Sequence, residues 1–141
     1  MIQVREKDLH AHDLAPLVQR FLVVSPQPVI AVNSRLDVAV AAGAHGVHLP
    51  DGSPAPSTLR PLCPEGFLIG VSCHSISAVR AAEAEGADYV FLSPVFQPIS
   101  KQSMLPPLGL DVLSQACNSV GIPVYALGGV TESNAADCIE A

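Results

Sequence analysis

Apolar, β-branched runs alternate with Ala-rich stretches along the chain, which predicts strands and helices in turn. The predicted strands cover residues 2–6, 28–32, 46–49, 67–71, 89–92 and 122–127. Residues 29–32 and 68–71 are almost continuously apolar, as in parallel strands covered by helices on both faces. The pattern therefore predicts an α/β fold with a parallel sheet of about six βα units, short of the eight that close a TIM (β/α)8 barrel.

A short pattern occurs twice, once at residues 42–49 and again at residues 85–92. Each copy has a Gly, Gly43 or Gly86, followed by a strand, so we expect each Gly to end a helix in the left-handed conformation. Ser75 is the expected N-cap of the second helix. We expect residues 1–141 to form a single barrel domain whose first and last strands are missing, because the chain opens on a strand and stops before another.

Composition narrows the classes of protein. With 141 residues, 49% of them hydrophobic and 14% charged, the chain can bury one sizeable core. A net charge of -6 without a basic cluster argues against binding to nucleic acid. We expect neither a membrane span nor a signal peptide, and therefore a cytoplasmic protein. The cysteines lack C-x-x-C spacing, which favours reduced thiols at Cys63, Cys73, Cys117 and Cys138.

Polar residues follow the predicted strands and locate a candidate site. Gln3, Arg5 and Lys7 alternate as on one face of a strand, where cations would bind a negatively charged small ligand. Gly128 and Gly129 form a turn before a helix expected to be capped by Thr131 or Ser133, a second place for a phosphate. The other polar residues at strand exits are Asn33, His48, Ser72, His74 and Ser93.

Seven segments resemble, in order and spacing, the thiamine phosphate synthase superfamily, which includes the TenI branch of thiazole tautomerases. They are residues 3–7, 32–33, 46–49, 70–75, 86–90, 93–96 and 127–131. The resemblance implies condensation of hydroxymethylpyrimidine diphosphate with a thiazole phosphate, giving thiamine phosphate and diphosphate. It implies a Mg2+ cofactor for a synthase and none for a tautomerase.

The resemblance also implies roles for individual residues. Arg5, Lys7 and Lys101 would stabilise the departing diphosphate. Apart from the resemblance, His74 is a candidate acid or base. The residues implied to bind substrate or phosphate are Gln3, Arg5, Lys7, Asn33, Ser72, Ser100, Lys101, Gly128 and Gly129.

The chain departs from the synthase pattern at the metal ligands. Ser34 and Ser53 stand where the family has acidic residues for Mg2+, and a hydroxyl is a poor replacement for a carboxylate. Asp51 is the one candidate substitute ligand. Pro98 stands where the family favours Thr.

Three functions stay open at this point. A synthase is the first, a TenI-like tautomerase the second, and a non-catalytic binder of phosphorylated thiamine intermediates the third. The tautomerase branch uses a His where this chain has Pro94, which leaves His74 or His48 for proton transfer. The expected partners are small phosphorylated pyrimidines and thiazoles, with a homo-oligomer possible.

Overall fold

The computed structural model describes residues 1–24, 28–98 and 105–141. The chain divides into two compact units, Met1–Gly70 and Val71–Ala141. Strand β4 (Leu68–Cys73) begins in the first unit and ends in the second. Each unit is built from βα repeats, and no helix within the described residues is long and apolar enough to cross a bilayer.

The first unit carries three parallel strands before β4. Strand β1 pairs with β2, and β2 pairs with β3, with Gln3 opposite Ala31 and Asn33 opposite His48. Residues of β2 and β3 are buried almost throughout, which accounts for their continuous apolar character. The elements are β1 (Ile2–Val4), α1 (Ala11–Leu22), β2 (Ile30–Asn33), α2 (Leu36–Ala42), β3 (Gly46–Leu49), α3 (Pro56–Leu59) and a 3₁₀ turn (Arg60–Leu62).

The second unit buries one side of its strands under two helices. Val90 and Leu92 pack with Val79 and Leu113 in a core that water does not reach. Strand β6 pairs in parallel with β5, with Val90 opposite Val124. The elements after β4 are α4 (Ile76–Ala84), β5 (Tyr89–Leu92), α5 (Gly109–Cys117), β6 (Val124–Ala126) and α6 (Ala135–Glu140).

The repeated sequence pattern corresponds to one backbone motif in both units. Gly43 and Gly86 adopt φ values of 77° and 85° after α2 and α4. In each case the next N–H, of Ala44 or Ala87, donates to a carbonyl five residues back at 2.9 Å. The Ser75 Oγ accepts from the Ala78 N–H at 3.1 Å, so the predicted N-cap is confirmed.

Three strands, β1, β2 and β6, are shorter than predicted, β2 covering Ile30–Asn33 and not residues 28–32, and one helix begins later. Strand β1 ends at Val4 and not at residue 6, so Arg5 and Lys7 lie beyond the strand. Strand β6 covers Val124–Ala126 of the predicted 122–127. Helix α6 begins at Ala135 with Asn134 as its N-cap residue, so the prediction of Thr131 or Ser133 was wrong. The four cysteines are free thiols, and Cys73 is buried.

Candidate functional site

A chain of hydrogen bonds joins the exits of β1 and β2 in the first unit. The Gln3 Nε2 donates to the Asn33 Oδ1 at 2.9 Å, and the Asn33 Nδ2 donates to the Ser34 Oγ at 2.8 Å. Parallel pairing of the two strands brings Gln3 close to Asn33, which residue spacing alone did not reveal. Both predicted binding residues are therefore held in fixed orientations at a strand exit.

Ser34 has an unusual backbone conformation for a residue with a side chain. Its φ is 64°, and the described residues contain no other non-glycine position with positive φ. The turn is closed by the Arg35 N–H, which donates to the Asn33 carbonyl at 2.7 Å, while the Ser34 N–H donates to the His48 carbonyl at 2.9 Å. Such conformations cost about 1 to 3 kcal/mol and cluster at functional sites. The backbone of this turn therefore makes Ser34 a candidate functional residue.

Arg5 and Lys7 are exposed, and within the described residues neither has a hydrogen-bond or ion-pair partner. Arg35, in contrast, is bound by Asp37 through two contacts of 2.9 Å and 2.6 Å. The hydrogen bond from Arg35 holds the pKa of the Asp37 carboxyl below its usual value. The charges of Arg5 and Lys7 remain available for an anionic ligand, whereas that of Arg35 is already neutralised.

His48 is part of the core of the first unit. Its side chain is 1% exposed, and burial lowers its pKa to about 4. The imidazole is therefore neutral at pH 7, as expected of a structural histidine. His45 is exposed, and its Nδ1 accepts from the Ile30 N–H at 3.0 Å. The two residues thus lie in different environments, His48 within the buried strand β3 and His45 just before it.

Two of the expected metal positions carry hydroxyls, and the one candidate carboxylate nearby, Asp51, is exposed. Ser34 contributes a neutral hydroxyl that already accepts a hydrogen bond from Asn33. Asp51 is exposed in a turn closed by the Ser53 N–H, which donates to the Pro50 carbonyl at 3.2 Å. No group of three or more His, Cys, Asp or Glu side chains in the described part of the chain could hold a metal ion. The donor set therefore does not fit a hard cation that requires placed carboxylates.

In the second unit, His74 is held by the exit of the following strand. Its Nδ1 lies 2.5 Å from the Ser93 carbonyl oxygen and 3.4 Å from the Ser93 Oγ. Because a carbonyl only accepts, we assign the ring proton to Nδ1, which leaves Nε2 as a proton acceptor. Ser72 precedes this histidine on β4 and is partly buried.

The turn Gly128–Gly129 approaches the loop after β5 so closely that side chains are excluded. A Cβ atom at Gly128 would lie 2.8 Å from the Pro94 Cα, and one at Gly129 would lie 2.8 Å from the Phe96 Cβ. Both glycines have positive φ, 88° and 66°. Among the described residues, the N–H groups of Gly128, Gly129 and Val130 donate no hydrogen bond. Three successive unpaired N–H groups form the kind of concavity that binds anions.

Asn134 supports this turn and was not predicted as a site residue. Its Nδ2 donates to the Gly129 carbonyl at 3.0 Å, and its Oδ1 accepts from the Thr131 N–H at 2.7 Å. Residue type alone could not have identified it, because Thr131 and Ser133 nearby also belong to types that cap helices. Ser100 and Lys101, also predicted to bind phosphate, lie outside the described residues.

Parallel βα repeats with anion-binding groups at strand exits are typical of α/β proteins that bind phosphorylated small molecules. The family described as thiamine monophosphate synthase matches residues 1–141. The chain belongs to this family, and the resemblance inferred from its motifs is confirmed.

Individual relatives agree with the family match. The chain is 44% identical over 143 residues to a thiamine-phosphate synthase of Methanoculleus marisnigri, covering 100% of this chain and 68% of the relative. A solved structure of thiamine phosphate pyrophosphorylase from Pyrococcus furiosus has a TM-score of 0.87 at 30% identity, covering 99% of this chain and 67% of that one. The predicted α/β class of barrel type is thereby confirmed.

A more distant structure shares the fold alone. FabK from Thermotoga maritima has a TM-score of 0.75 at 21% identity, covering 98% of this chain and 46% of that one. The chain spans about two thirds of the thiamine phosphate relatives. That further βα units belong to the domain at either end stays a prediction.

Proposed function

We propose that this chain carries out the reaction of thiamine-phosphate synthases, condensing hydroxymethylpyrimidine diphosphate with thiazole phosphate. The C–O bond between the pyrimidine methylene and the diphosphate breaks, and a C–N bond to the thiazole nitrogen forms. The products are thiamine phosphate and diphosphate. The observation that carries the proposal is the pair of cations that follows a strand in a chain of this family, Arg5 and Lys7, which have no hydrogen-bond or ion-pair partner among residues 1–24, 28–98 and 105–141.

The first unit supplies groups suited to the diphosphate. Arg5 offers a planar fork of N–H donors, and Lys7 offers a compact positive charge. Negative charge builds on the diphosphate as it departs, so both residues stabilise the transition state more than the bound substrate. Asn33 and Gln3 act as neutral hydrogen-bonding groups, oriented by their contact with each other.

The second unit supplies groups suited to the thiazole phosphate. The N–H groups at residues 128–130, which donate to no group in the part of the chain that the structure describes, would bind the phosphate oxygens without a charged side chain. His74 would accept a hydrogen bond or a proton at Nε2. Ser72, Ser100 and Lys101 complete the proposed set as substrate contacts. The proposal includes a cytoplasmic location, with small phosphorylated precursors as the partners.

A non-catalytic binder is the second candidate, favoured by the hydroxyl of Ser34 where a synthase is expected to have a carboxylate. Incubation with both substrates and Mg2+, followed by detection of thiamine phosphate, separates the two functions. The synthase reading predicts product, together with a loss of at least about tenfold in activity for Arg5→Gln and Lys7→Gln. Arg20→Gln, at an exposed position in α1, is the matched control. Substrate binding without product would overturn the synthase reading and support the binder.

A further inference from the structure

Ser34 presents a hydrogen-bond donor at the place where a carboxylate would hold a metal ion. Its Oγ already accepts from the Asn33 Nδ2 at 2.8 Å, and Asn33 is in turn fixed by Gln3 at 2.9 Å. A hydroxyl has one hydrogen to donate, and this contact leaves that hydrogen free to point elsewhere. Since Ser34 is exposed, the hydrogen can reach a ligand.

The charge around this turn also suits an anion. Arg5 and Lys7 follow β1, whose Val4 lies opposite Val32, two residues before Ser34. The nearby Asp37 carboxylate is held by both contacts from Arg35. Glu6 and Asp8 lie on the same exposed segment as the two cations, but no group of three metal-binding side chains forms in the described residues.

We propose that the first unit binds the diphosphate group as a metal-free anion, with the Ser34 Oγ donating a hydrogen bond to it. This inference rests on the proposed function in one respect only, namely that the ligand of the first unit is phosphorylated. A carboxylate at position 34 would repel a bare diphosphate and would need a cation between the two. The hydroxyl removes that repulsion, so Arg5 and Lys7 neutralise the anion directly.

The positive φ of Ser34 supports this assignment independently. The turn places Ser34 in a conformation that glycine would adopt at lower cost, yet the chain carries a side chain there. The hydroxyl is joined to Asn33, a residue that belongs to the same candidate site. A residue kept in a strained turn and linked to binding groups is best explained by a contact with the ligand.

The test measures binding of inorganic diphosphate by calorimetry, in EDTA and in excess Mg2+. We expect binding in EDTA, and Mg2+ should leave the affinity unchanged or weaken it by competing for the anion. Ser34→Ala should reduce the affinity in EDTA by about 2- to 10-fold, the usual value of one hydrogen bond. Ser34→Asp should lose binding in EDTA and regain it when Mg2+ is added.

Two controls assign the result to this unit. Arg5→Gln should abolish binding in EDTA, whereas Ser114→Ala, a serine of α5 in the other unit, should leave it unchanged. Affinity that rises tenfold or more with Mg2+ in the unmodified chain would overturn the proposal, as would binding in EDTA that Arg5→Gln and Ser34→Ala leave intact. The test measures binding and not turnover, so its outcome is independent of the proposed synthase activity. A chain that makes no thiamine phosphate can still bind diphosphate in EDTA, and an active chain can bind it only with Mg2+.

Discussion

The Asn134 side chain bridges both sides of the glycine turn, donating from Nδ2 to the Gly129 carbonyl at 3.0 Å and accepting at Oδ1 from the Thr131 N–H at 2.7 Å. These contacts fix the peptide planes of the turn and so orient its N–H groups, which are unpaired among the described residues. Asn134 would therefore act as a positioning residue for a bound phosphate without contacting it.

Asn134→Ala should weaken binding of thiazole phosphate by about 5- to 10-fold, because the turn loses two hydrogen bonds that orient its donors. The effect should fall on KM, with kcat at saturating substrate little changed. Asn118→Ala is the matched control, since the Asn118 Nδ2 also donates to a backbone carbonyl, that of Ser114, at 2.9 Å. Equal affinity in both variants would show that Asn134 only stabilises the fold.

Adding a side chain at a glycine can cost stability through backbone strain and through steric overlap, and a comparison of Gly129 with Gly43 distinguishes the two. Both have positive φ, 66° and 77°, but a Cβ at Gly129 would meet the Phe96 Cβ at 2.8 Å while one at Gly43 would meet nothing within 4 Å. Gly43→Ala should lower the free energy of unfolding by about 1 kcal/mol, from backbone strain alone. Gly129→Ala should lower it by at least about 1 kcal/mol more, through overpacking. Denaturant unfolding measures both, and equal losses would contradict the close approach.

Ser34 permits a similar comparison at its own position. Ser34→Gly and Ser34→Ala both remove the hydroxyl, so both should weaken diphosphate binding to the same extent. Only glycine relieves the positive φ of 64°, and Ser34→Gly should be the more stable by about 1 kcal/mol. Thermal unfolding and calorimetry of the pair check this expectation. An alanine variant as stable as the glycine variant would show that the turn relaxes and carries no strain.

The sequence pattern predicts the parts of the fold that local chemistry determines. Gly43, Gly86 and Ser75 were predicted correctly because helix ends follow from residue type over a few positions. The end of β1 was not, because the alternation of Gln3, Arg5 and Lys7 continues past Val4, where pairing with β2 stops. Which residues pair across strands depends on tertiary structure, as the contact between Gln3 and Asn33 illustrates.

The N-cap of α6 shows a different limit. Thr131, Ser133 and Asn134 all belong to types that cap helices, so the residue types did not distinguish them. Asn134 occupies the cap position without a side-chain hydrogen bond to the helix, and its side chain bonds the glycine turn and Thr131 instead. Sequence reasoning therefore located the glycine turn as a candidate phosphate site but missed the residue that holds the turn.

His48 should make stability depend on pH in a defined window. Its pKa is lowered by burial from 6.5 to about 4, so the unfolded chain binds a proton that the folded chain rejects between these values. The contribution of the neutral, buried His48 to the free energy of unfolding is fully present above pH 6.5. It is lost as the pH falls towards 4, by an amount on the order of 3 kcal/mol. His48→Gln should flatten the pH dependence of the free energy of unfolding in this window, whereas His10→Gln, at an exposed position, should not. NMR titration should show a histidine that stays neutral well below pH 6.5 and disappears in the His48 variant. A His48 resonance that titrates near 6.5 would contradict its burial.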